Sequence, residues 1–421
     1  MLQYFGCALF LLMLIAPFEF NIVKIILIFF IVGTSIAKML ILKRVGLVKP
    51  VFFWFITFIG FGIFFSIWAF LIPSNNPTFI VRSMPVNIVW PILYCFAMTH
   101  ITSYKVIASL NKIMILSSIL ISIYLISAAL SYMGILPISP AFFSLAKPVI
   151  GKYDASVQLF LPSTTSLLFL IPFLMSYLLL QIFKHDKIKS IYVILALILG
   201  IAAIVITARR ALMLNLLISP LLIYAFLSLS KVTLVKKVKA GLFKLFLYFL
   251  AVATIGCTIL IKYEILNIDP FIELFINGFD FSKNSIDEGS IARAEQSVGL
   301  FKSWFDYPIF GSGLGSSSLY VNRSENTPWV YELSYLTLLF QTGAIGFIMY
   351  MSLLIWIFYA GISLIKIDNR FIFLIPSLVG CFCFLLGNAS NPYIIAFDHM
   401  WTIFLPVGFI NYCFYNSEPK Y

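Results

Sequence analysis

Long apolar runs, not alternating polarity, dominate the chain. Ile191–Ile206 and Ala211–Leu229 contain no charged position, and similar runs recur along the whole sequence. A bilayer core takes about 20 apolar residues per helix. On that basis the pattern predicts spans at 3–17, 22–42, 51–72, 86–100, 113–133, 161–183, 190–207, 211–229, 244–261, 331–364, 371–387 and 400–415. The expectation is an all-α polytopic membrane protein of about 12 transmembrane helices, within a range of about 11–13. A transmembrane barrel needs short alternating segments, which these runs exclude. The stretch 331–364 is too long for a straight crossing, so it should tilt or extend beyond the bilayer. Pro172 and Pro220 fall inside spans, where neighbouring groups can satisfy the backbone they free.

Three regions follow: a bundle of about nine helices over 1–261 with a first long loop at 134–160, a second loop at 262–330, and C-terminal helices over 331–421. The second loop, about 70 residues long, far exceeds ordinary connections and points to function or disorder. Its aromatic and helix-forming content favours order. It also holds many of the acidic residues, among them Glu264, Asp269, Glu273, Asp280, Asp287, Glu288, Glu295, Asp306 and Glu325.

Composition sharpens this reading. The 421 residues are 62% hydrophobic and 10% charged, against roughly 45–50% and 25% in soluble domains. A soluble enzyme, a disordered tail and a disulfide scaffold are excluded. The net charge of +12 comes from residues in the gaps between spans, so it reports topology and not a nucleic-acid surface. With a cytoplasmic N-terminus, one side receives Lys43, Arg44, Lys49, Lys105, Lys112, Lys184, Lys187, Lys189, Lys231, Lys236, Lys237, Lys239, Lys366 and Arg370. The other side is poorer, with Lys24, Arg82, Lys147 and Lys152. The positive-inside bias then places both termini in the cytoplasm and both long loops outside. All six cysteines lie in or beside apolar stretches, which suits buried thiols and implies no disulfide framework. The first apolar run shows no cleavage pattern and reads as a retained anchor.

Several outer-side residues could carry chemistry. Arg209 and Arg210 lie between two apolar runs. They suit either a lipid-borne phosphate, which guanidinium binds bidentately, or headgroup contact at a hairpin tip. The segment from Gly289 predicts a helix capped by Ser290 and ended by Pro308, with Ala294, Val298, Phe301 and Phe305 turned toward the bundle. Arg293 would sit in its first turn, beside free N–H groups that favour an anion. The plainer reading pairs it with Glu288 or Glu295. The glycines of Gly311-Ser-Gly313-Leu-Gly315 lack a βαβ context, which excludes a dinucleotide fold. They suit a tight turn and close backbone approach to substrate. Glu332, near the outer end of the next helix, shares a face with Tyr335 in this reading. A carboxylate partly withdrawn from water there could act as a general base, or simply complement the helix dipole. His100, His185 and His399 are far apart, and no metal-ligand cluster appears. His399, after Asp398, favours a structural role.

Taken in order, Arg293, Trp304, Asp306-Tyr-Pro308-Ile-Phe-Gly311-Ser-Gly313-Leu-Gly315 and Gly343-Ala-Ile-Gly346 resemble the signature region of the O-antigen ligase/polymerase family of bacterial polysaccharide assembly. Thr207-Ala-Arg209-Arg210 resembles the family's arginine between two helices. The resemblance covers about 190 to 350 and elsewhere rests on span number and the large outer loop. It implies a glycosyltransferase in the bacterial inner membrane, acting at the periplasmic face on undecaprenyl-diphosphate-linked oligosaccharide, without metal, cofactor or nucleotide sugar. Membrane lipids and a chain-length regulator are the implied partners, and nucleic acid is not. Family ligases carry His where this chain has Glu332, which favours polymerase over ligase. The implied site is Glu332 and Arg293 as catalytic residues, with Arg209, Arg210 and Arg293 on the diphosphate. Tyr335, Glu295, Arg323, Glu325, Gly311 and Gly313 are weaker substrate contacts. The competing readings are a ligase transferring polymer to lipid A–core, and a lipid-linked oligosaccharide flippase or other transporter.

Overall fold

The computed structural model describes residues 2–43, 46–132, 134–138, 149–153, 156–183, 187–207, 209–231 and 288–417. The span expected at 244–261, loop residues 262–287, and Arg44, Lys147, Asp154, Lys184, His185, Lys236, Lys237 and Lys239 lie outside them. In chain order the helices are α1 (Leu2–Ile15), α2 (Asn21–Leu42), α3 (Lys49–Leu71), α4 (Pro77–Met84), α5 (Trp90–Met98), α6 (Tyr104–Tyr132), α7 (Leu167–Phe183), α8 (Lys187–Thr207) and α9 (Arg210–Leu229). After the undescribed stretch come α10 (Glu288–Asp306), α11 (Ser334–Ile367), α12 (Leu374–Asn388) and α13 (Trp401–Ser417). Among the described residues, eight helical stretches are long and apolar enough to cross a membrane. Helices α1 and α8 add the shorter apolar stretches Phe5–Ile15 and Ile191–Thr207.

Local sequence explains where several elements begin. Asn76 Oδ1 accepts the Thr78 N–H, and Pro77 opens the first turn, a strong helix start. The fourth span therefore begins well before residue 86, and a π turn over Pro85–Val89 joins α4 to α5. Arg82, expected in a loop, lies inside this helix. The first long loop holds a short antiparallel ribbon, with Val149–Tyr153 (β1) paired to Ser156–Phe160 (β2).

Helix α7 is apolar on all sides, the pattern of a wholly buried helix, and its residues from Leu167 to Leu174 are nearly all inaccessible. It packs against α12, α8 and α9. Helix α2, by contrast, exposes Ile22, Phe29, Leu40 and Ile41 by more than 70%, as a lipid-facing helix does.

The bundle has two distinct ends. At one, Ser334 Oγ donates to Asn391 O, Lys24 Nζ meets Asp398, and Asn75 Nδ2 donates to Ser312 O. At the other, Asn411 bridges Gly46 O and Val48 N, and Tyr104 packs on Phe373. Lys43, Lys49, Lys105, Lys366 and Arg370 therefore share one end, and Arg293, Arg323 and Glu332 the other.

Candidate functional site

A break in α11 organises the site. Gly343 has φ 64° and ψ −174°, so the helical ladder is interrupted there. The break divides the long apolar stretch Ser334–Ile367 into two helical segments. Backbone groups freed inside a bundle must find partners, and the turn after α10 supplies them. Ser312 N and Gly313 N donate to Phe340 O and Gln341 O, at 3.1 and 2.7 Å. Ala344 N and Ile345 N in turn donate to Pro308 O and Ile309 O, at 2.9 and 3.2 Å. Trp68 Nε1 donates to Gly311 O, and Leu314 N donates to Phe65 O, which ties the turn to α3 as well. The close approach expected of Gly311 and Gly313 is thus made to the protein's own helices; both are buried. A Cβ at Gly313 would collide with Ala69, and one at Gly311 with the backbone at Gly343.

Helix α10 docks on this platform through a small core of Leu300, Tyr331 and Phe340, with Trp304 and Val321 around it. The docked face is not the one its hydrophobic periodicity suggests. Gln296, Gly299, Leu300 and Ser303 are buried, whereas Val298, Phe301 and Phe305 are exposed by 48%, 44% and 65%. Gly299 lies where a Cβ would strike Val321, so a small, polar stripe permits closer packing than the aromatic face would. The helix also starts at Glu288, so Ser290 sits within its first turn instead of capping it. Acidic residues favour that first turn. Arg293 therefore lies one turn further in, away from the free N–H groups.

Its guanidinium instead reaches Glu332. Arg293 Nε donates to Glu332 Oε2 at 2.9 Å, and Arg323 Nη2 approaches Glu332 Oε1 at 3.4 Å. Glu332 N donates to Gln296 Oε1 at 2.8 Å, so α10 holds both the side chain and the backbone of this residue. All three charged side chains are partly exposed, between 22% and 34%. Glu332 precedes α11, because Leu333 leaves helical geometry (φ −80°, ψ 75°). It therefore faces α10, while Tyr335 turns to α12, where its hydroxyl donates to Leu385 O. The shared face expected for the two residues does not form. The partner of Arg293 is thus Glu332 and not Glu295, which is exposed, as is Glu325.

Next to this cluster lies a cavity of about 290 Å³ between α3, α4, α11 and α12. Trp329, Tyr335, Asn87, Gln341 and Asn388 contribute aromatic faces and amides, and Gly315 and Arg82 also line it. Tyr331 lines the cavity while its neighbour Glu332 faces α10. Arg209 and Arg210 are half-buried at the N-terminus of α9. Asn215 donates to Cys383 O near the end of α12, and farther along α9 Phe226 packs on Phe358 deep in α11. The two arginines therefore lie toward the same end of the bundle as Arg293.

Two features escaped the sequence reading. Arg82 was one basic residue in an expected loop; its only signal was the Asn76-Pro77 helix start. Lys24 is wholly buried and paired with Asp398 at 2.8 Å, with Ala16 O and Phe18 N completing the arrangement. A lone lysine in an apolar helix was the available sign. His399 is buried among Phe18, Phe384 and Tyr393. Burial, and then the Lys24 charge, push it down to about 3.

Compared with known family models, characterised proteins and solved structures, the chain matches none.

Proposed function

We propose that this chain is an O-antigen polymerase: a metal-independent glycosyltransferase joining undecaprenyl-diphosphate-linked oligosaccharide repeat units. In this reading it sits in the bacterial inner membrane with about 12 spans, both termini cytoplasmic and the site facing the periplasm. The observation that carries the proposal is the Arg293–Glu332–Arg323 cluster at one end of an apolar bundle. It lies beside a cavity whose aromatic faces and amides suit sugar rings and hydroxyls.

The acceptor hydroxyl oxygen forms a bond to the donor's anomeric carbon. The bond from that carbon to the diphosphate oxygen breaks, and its electron pair leaves with the lipid diphosphate. Arg293, with Arg209 or Arg210, neutralises the charge that develops there. Glu332 takes the hydroxyl proton. Both its oxygens are engaged by guanidinium groups before substrate arrives, so the diphosphate first draws Arg293 and Arg323 from the carboxylate. Substrate binding thereby frees the base. In this reading the described part of the large loop, residues 288–330, shields the site from water, which would hydrolyse the activated linkage.

The test is purified protein with a synthetic diphospholipid-linked repeat, with and without chelator, read as an oligomer ladder. A chelator-insensitive ladder supports the proposal. Transfer only to a lipid A–core acceptor would make the protein a ligase. Arg293→Ala and Arg209→Ala should each abolish long chains while leaving membrane insertion intact; wild-type ladders remove the residue concerned from the mechanism. Arg293→Lys should lose at least about tenfold in rate, because lysine keeps the charge but not the planar fork.

A further inference from the structure

At the end of the bundle opposite Arg293, helices α1, α2, α5, α6 and α13 enclose a second cavity of about 330 Å³. Its wall is apolar, with Phe10, Ile31, Met98, Leu110 and Leu405. Polar groups gather at one side, where Lys38, His100 and Ser103 line it. His100 is already engaged: its Nε2 lies 2.6 Å from Ser35 Oγ and 3.2 Å from Ile31 O. Lys38 has no carboxylate within ion-pair distance among the described residues. The contrast with Lys24 on the same helix is informative. Lys24, about 21 Å away along the axis, is neutralised by Asp398, whereas Lys38 lines an apolar slot and meets no carboxylate among the described residues.

We propose that this slot holds an acyl chain of an anionic phospholipid, with the headgroup against Lys38. The apolar wall matches the hydrocarbon, and the half-buried cation calls for a negative headgroup. Lys43, Lys49 and Lys105 lie at the same end and extend the positive rim. Entry from the bilayer is open along α2, whose Ile36, Leu40 and Ile41 are exposed by 43%, 74% and 78%. The site stands apart from the Arg293 cluster and does not depend on the polymerase reading.

The experiment places the full chain in phosphatidylcholine nanodiscs carrying a trace of phosphatidylglycerol with a photoactivatable acyl chain. Labelled peptides are then mapped by mass spectrometry. The expected result is labelling within 94–110 and 401–405, and much less from the matching phosphatidylcholine probe. Lys38→Gln should lower it about fivefold, the weight of one lysine against an anionic headgroup. Gly6→Leu fills the slot where an added Cβ meets nothing within 4 Å, and should remove the labelling without lowering the melting temperature. No labelling of these segments, equal labelling by the choline probe, or labelling unchanged in either variant each overturns the proposal.

Discussion

Lys24 and Asp398, 374 positions apart in sequence, bind the turn after α1 to the turn before α13. A buried pair contributes little net stability, but removing one partner strands a charge, at a cost of about 3–5 kcal/mol. Lys24→Met should therefore lower the melting temperature in detergent sharply. Adding Asp398→Asn should recover most of the loss, because asparagine still accepts the Phe18 N–H. Equal melting temperatures for the single and double variants would show that the stranded charge is not the cause. The neighbouring His399 gives a pH signature. Its value of about 3 in the fold lies below the roughly 6.5 of a free histidine. Between those values the unfolded chain binds a proton that the folded chain does not, so stability falls as pH falls. His399→Phe, matching its aromatic surroundings, should lessen the drop in melting temperature from pH 7 to pH 5. Identical drops in the two proteins would refute this assignment.

Helix α11 shows how a single glycine acts at the level of an element. The left-handed φ at Gly343 costs an alanine about 1–2 kcal/mol, and its Cβ would also collide with the Ile309 carbonyl. Gly343→Ala should thus destabilise by more than about 2 kcal/mol and loosen α10 and Arg293 together with it. Gly33→Ala is the control: it lies within α2, its Cβ meets nothing within 4 Å, and alanine favours a helix. Melting curves of the two variants should move far apart, and similar shifts would deny the break its structural role. The pair Gly343 and Gly346 was legible in sequence, but the break was not, since its partners are backbone groups of the distant turn 308–313: the Pro308 and Ile309 carbonyls and the Ser312 and Gly313 N–H groups. The docked face of α10 was misread for another reason. Hydrophobic periodicity identifies the buried side when water covers the other, and near a membrane that assumption weakens. Gly299 and Gln296 dock because they permit close approach and a hydrogen bond to Glu332 N.

Across the whole molecule, eight of the expected apolar spans, those found among the described residues, could be read because bilayer thickness constrains helix length directly. The grouping of Lys43, Lys105 and Arg370 at one end was readable because charge between spans is confined to the two surfaces. The pairings of Arg293 with Glu332, and of Lys24 with Asp398, were hidden, since distant contacts leave no local periodicity. The two-ended arrangement makes a further prediction, namely sidedness. Single cysteines at 209, 293 and 323, in a background without the native thiols, should react with a membrane-impermeant maleimide from one face of sealed vesicles. Cysteines at 43, 105 and 370 should react only after the vesicles are opened, or in vesicles of reversed orientation. Reaction of 323 and 370 from the same face would contradict the arrangement of the helices. Reaction of 209 and 293 from opposite faces would leave the fold intact but end the mechanism, because two guanidinium groups separated by the bilayer cannot hold one diphosphate.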